Sequence, residues 1–102
     1  MKDIEYFAER IREELEDAKQ YAENALLWKD KRKETSKVLA ELSREELEHA
    51  EALHHQAVAL INEAKASGAT ATPEMKAVWD WEHKHLIKCK EKVEHLFKML
   101  RE

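Results

Sequence analysis

Glu46 and His49 stand three residues apart in the stretch Glu45-Glu46-Leu47-Glu48-His49-Ala50. On a helix that spacing puts both side chains on one face. The same face carries Leu39, Leu42, Leu53 and Leu60, so the pattern predicts a carboxylate and an imidazole on an apolar seam. Burying those two groups is costly unless something pairs with them. Inside a helix bundle a metal ion can be that partner. Mixed carboxylate and imidazole ligation suits iron or manganese, with zinc also open.

Three more acid-x-x-His pairs occur: Glu51/His54, Asp80/His83 and Glu82/His85. Composition alone would give about one such pair, so position has to discriminate among them. Glu51/His54 lies off the leucine stripe. Glu14 sits between Ile11 and Ala18, with Tyr21 seven residues later on the same face. If the first two helices form a hairpin, residues at equal height average to a position in the turn. Glu14 averages with Glu46 to 30 and with His49 to 31.5, both inside the polar run Lys29-Asp30-Lys31-Arg32-Lys33-Glu34. Glu14 is therefore expected opposite the Glu46/His49 pair.

The elements that must position these groups are helices. The chain has 102 residues, with one Gly, one Pro and 39% charged residues. That is one small domain built from helix formers. Period-3.6 apolar spacing predicts helices over about 3–28, 35–66 and 73–101. Asp3 is expected to cap the first and Thr35 or Ser36 the second. Gly68 is expected to stop the second helix, and Thr72-Pro73 to start the third. Short connections predict an antiparallel three-helix bundle of 1–102 as a single domain. Three long helices bury only a thin seam, so a second copy is expected to complete the core as a homodimer or larger homo-oligomer.

A Glu on one helix, a Tyr seven residues on and Glu-x-x-His on the next resemble the ferritin-like di-iron carboxylate proteins. The third-helix segment Trp79-Asp80-Trp81-Glu82-His83 is similar to that of a family of short ferritin-like proteins encoded in bacterial prophage regions. The resemblance implies a site for two iron ions and, with it, Fe(II) oxidation or iron handling. Glu14 would then be a terminal ligand, Glu46 a bridging carboxylate and His49 a nitrogen ligand. Asp80 and His83 would serve a second ion, with Tyr21 nearby. The chain departs from the four-helix, six-ligand pattern, offering three helices and five candidates. The hairpin geometry of the second connection also disagrees with the family order. It puts Glu91, Glu94 and His95 level with Glu46 and His49, and Glu82 is a further rival on an inward position.

Formal net charge is −4, which argues against a phosphate-binding surface and hence against nucleic acid. No apolar run approaches the ~20 residues of a membrane span. Cys89 is the single cysteine and is expected to be a small buried hydrophobe. His54, His55 and His85 are expected on the surface, and Trp28, Trp79 and Trp81 in core or dimer contacts. With no apolar leader at Met1–Glu5, the expected compartment is the cytoplasm. The competing expectation is a metal-free bundle that serves as an interaction scaffold, its seam polar groups fixing register.

Overall fold

The computed structural model describes residues 2–102. They form three helices: α1 (Lys2–Trp28), α2 (Lys33–Ala66) and α3 (Pro73–Arg101), with no strand among the described residues. None of these helices is long and apolar enough to cross a membrane. The result is a helical rod 55 Å long and 17 Å across.

Local chemistry sets the helix ends. The α2 terminus is a Schellman motif: Gly68 N–H donates to Lys65 O, and Ala69 N–H to Ala64 O. Gly68 takes φ +88°, a conformation closed to most L residues. At α3, the Thr72 hydroxyl accepts from Met75 N–H, and Pro73 occupies the first helical position. The α2 start differs from expectation. The helix begins at Lys33, preceded by Arg32, with no side-chain cap. Ser36 is unavailable as a cap because its hydroxyl crosses to α1 and donates to Ala25 O at 2.7 Å. Asp3 lies within the first turn of α1 rather than ahead of it, where its charge suits the helix dipole.

The α1–α2 seam is made of small residues. Ala18, Ala22 and Ala25 of α1 are fully buried, as are Ser43, Ala50 and Ala57 of α2. Small side chains let two backbones approach closely. The approach is close enough for Ser43 Oγ to donate to Ala18 O at 2.6 Å. Ser36 meets Ala25 and Ser43 meets Ala18, so numbers rise along α2 as they fall along α1. α3 packs against the other flank of α1, where Cys89 Sγ donates to Leu15 O at 3.3 Å. Val93 and Phe97 continue that contact into the core. α2 and α3 meet through longer side chains: Arg44 over the Phe97 ring and Glu51 on Lys90 at 2.6 Å.

This packing corrects one expectation. The centre line of α2 is Ser36, Ser43, Ala50 and Ala57, not the leucine stripe. Leu39, Leu42, Leu53 and Leu60 are half-buried, one flank away from the seam. Alanine and serine win the centre because α1 offers alanines there, and leucines would hold the helices apart.

Candidate metal centre

Glu14, Glu46 and His49 come together at the α1–α2 boundary, with one ligand atom of each lying within 4.8 Å of the others. His49 Nδ1 lies 3.6 Å from Glu14 Oε2 and 3.9 Å from Glu46 Oε2. Two ligands bound at ~2.1 Å to one ion are at most ~4.2 Å apart. Both separations fall inside that limit. The two acids are mostly covered, with side chains 14% and 19% exposed, whereas His49 is 60% exposed. The site is thus a notch in the wall of the bundle, not a sealed core position. His49 departs from the predicted seam because Ala50 occupies it. Glu14 is also held on its other oxygen, where Arg10 Nη2 donates to Oε1 at 3.4 Å. That leaves Oε2 facing the imidazole.

The helical turn of ~100° per residue explains which side this notch faces. On α1, residues 11, 18 and 25 look at α2, residues 8, 12 and 15 look at α3, and Glu14 with Tyr21 lies on the opposite flank. On α2, residues 44, 51 and 54 look at α3. Glu46 and His49 lie on the opposite flank. The notch therefore opens away from α3. Tyr21 is half-buried on that same side.

Asp80 and His83, expected as ligands of a second ion, are not part of this group. Both are exposed. Asp80 lines an apolar hollow with Ile4, Ile61 and Trp79. His83 lies 5.4 Å, ring to ring, from His54. The reason is register. Arg44–Phe97 and Glu51–Lys90 contacts both average to 70.5, so the second connection behaves as a tight turn and Asp80/His83 falls level with the far part of α2. Glu91, Glu94 and His95, which that register brings level with the notch, are exposed on a helix that lies behind it.

Glu82 is the other unusual acid. It is 4% exposed on the α1–α3 seam. Its Oε2 is buried with no hydrogen-bond partner, and Arg12 Nη1 stands 3.8 Å from Oε1. Burial pushes its carboxyl pKa up, against opposing pulls from Arg12 and His85. Two histidines are less free than expected. His54 is half-buried and stacks on Trp79 at 5.3 Å. Burial, with His83 and His55 nearby, lowers its pKa. His85 stacks on Trp81 at 5.1 Å. Arg10 joins the site because it stands four residues before Glu14, within reach on the same helix face.

No family model, curated protein or solved structure matches the chain.

Proposed function

We propose that this chain is a ferritin-like metal-binding protein whose antiparallel helices hold iron or manganese at Glu14, Glu46 and His49. The observation that carries the reading is the meeting of two largely covered carboxylates and an imidazole from two different helices within 4.8 Å. Carboxylates supply the negative charge a divalent cation needs, and the imidazole adds a nitrogen donor. Glu14, Glu46 and His49 are the residues that would hold the ion, and His49 is 60% exposed to solvent. An iron ion held there would supply one-electron chemistry toward O₂, so Fe(II) oxidation or iron handling is the matching function. Arg10 keeps Glu14 oriented with one oxygen toward the ion. In this reading the protein works in the cytoplasm as a homodimer or larger homo-oligomer, with zinc as a competing ion.

The test is metal content. Protein equilibrated anaerobically with Fe(II), or with Mn(II) or Zn(II), is desalted and its ions per chain are measured. Wild type is expected to retain iron or manganese, and Glu14→Gln with Glu46→Gln and His49→Ala is expected to lose it. Retention near zero for every ion overturns the reading. A scaffold function without metal would then stand, favoured by the outward-facing Trp81, 54% exposed, and Val38, 58% exposed.

A further inference from the structure

We infer that the hollow at the end of the rod farthest from the α1–α2 turn binds a single-chain carboxylate, a free fatty acid. Its tail lies among the apolar walls and its head between Lys65 and Lys76.

The first observation is the cavity. It has a volume of about 280 Å³ and is walled by Ile4, Ile61, Met75 and Trp79. These side chains come from the first turn of α1, the last turns of α2 and the first two turns of α3. The space is left because long side chains hold α2 and α3 apart, Lys90 on Glu51 and Trp79 on His54. Ala71 of the connection adds a further wall, and that connection is fixed at both ends. Gly68 and Ala69 N–H groups close the α2 terminus, and the Thr72 hydroxyl accepts from Met75 N–H. The His54 ring fixes the Trp79 indole, stacked within 5° of parallel. The hollow is therefore formed before any ligand arrives, which is the common condition of small-molecule sites.

The second observation is the charge at its edge. Lys65, Lys76 and Asp80 complete the lining, and all three are exposed. None of them takes part in an ion pair among the described residues. Two cations against one anion leave a surplus of one positive charge, which a monoanionic head balances. Lysine stems can lie along an apolar wall while their ammonium groups stay in water. A cationic head is repelled there, and an uncharged one makes no use of the lysines.

The third observation is size. The cavity lies at the lower end of the range for ligand pockets, so it suits one tail of ~8–12 carbons rather than a two-tailed lipid. Ile4 stands ten residues before Glu14, about 15 Å along the helix. The hollow is thus separate from the metal centre, and the inference does not depend on it.

The experiment is isothermal titration calorimetry of the full chain with decanoate, octanoate and decyltrimethylammonium. Decanoate is expected to bind one per chain with a Kd of about 10⁻⁴ M. Octanoate, two methylenes shorter, should bind about tenfold more weakly. Decyltrimethylammonium, with the same tail and the opposite charge, should also bind about tenfold more weakly or worse. Decanoate should change the tryptophan fluorescence of wild type, and Trp79→Phe should lose that change. Lys65→Glu with Lys76→Glu, both on exposed positions, should weaken decanoate about tenfold or more and leave decyltrimethylammonium no weaker. No binding of decanoate at about ten times the expected Kd overturns the inference. Equal binding of the two head groups by wild type overturns it without recourse to any variant. Undiminished decanoate binding by the lysine variant also overturns it. A chain that floats with phosphatidylglycerol vesicles but ignores decanoate is a membrane binder, and that result overturns it too.

Discussion

Replacing Glu82 by methionine should stabilise the protein at neutral pH and do so less as the pH falls. Glu82 is 4% exposed, and its Oε2 has no hydrogen-bond partner. Leaving a buried polar group unmet costs about 1–3 kcal/mol, and more for a charge. The offsetting contact is weak. Arg12 is 3.8 Å away with its own side chain 48% exposed, a geometry worth at most about 1 kcal/mol. Methionine keeps the length of the side chain and removes the orphaned oxygen, so a gain of about 1–3 kcal/mol is expected at pH 7. In a domain of this size 1 kcal/mol moves Tm by roughly 4–8 °C. The pH dependence follows from the raised carboxyl pKa. Folding holds the proton more tightly than the unfolded chain does. The charge therefore adds no cost below the unfolded pKa, and stability is lost as pH rises through the folded pKa. The assay is urea unfolding followed by far-UV circular dichroism at several values between pH 4 and pH 8. The difference between Glu82→Met and wild type should grow with pH. A less stable variant at pH 7, or a difference that does not change with pH, would refute the claim that burial of Glu82 Oε2 without a hydrogen-bond partner costs stability.

Other perturbations have equally definite expectations. Ser43→Leu places a large side chain where Ser43 is fully buried against Ala18. Overpacking should cost about 1–3 kcal/mol in urea unfolding, whereas Ser43→Ala should cost only about 1 kcal/mol for the lost hydrogen bond. Gly68→Ala should cost about 1–2 kcal/mol from backbone conformation alone, because a Cβ there meets nothing within 4 Å. His54, with its pKa lowered by burial and by His83 and His55, should behave oppositely to Glu82. Its share of stability is full above the unfolded histidine pKa and is lost as pH falls below it. Thermal melts of His54→Phe should therefore fall less than wild type between pH 7 and pH 5.

Where the sequence could be read, the reason was punctuation and rise. Gly68 and Thr72-Pro73 mark helix ends by chemistry that acts within a few residues, and the structure places the ends there. The grouping of Glu14 with Glu46 and His49 followed from arithmetic. Two helices leaving a short turn climb at the same rate, so residues equidistant from the turn meet. The same arithmetic at the second connection pointed to residues near 91–95 as level with the notch, and the contacts of Lys90 and Phe97 agree. Asp80 and His83 are favoured by the family resemblance alone.

What arithmetic along the axis cannot supply is rotation about it. Rotation here was decided by the smallest side chains. Ala18, Ala25, Ser36 and Ser43 carry little hydropathy, yet their size lets the α1 and α2 backbones close together, and two hydroxyls lock the contact onto carbonyls. A reading that ranks residues by apolarity puts the leucines at the centre and places the seam one flank off. Once the alanines and serines take the centre, Leu42, Glu46, His49 and Leu53 turn outward together. Glu46 and His49 then cease to be an oddity of a buried core. They become the polar middle of an α2 flank bounded by the half-buried Leu42 and Leu53.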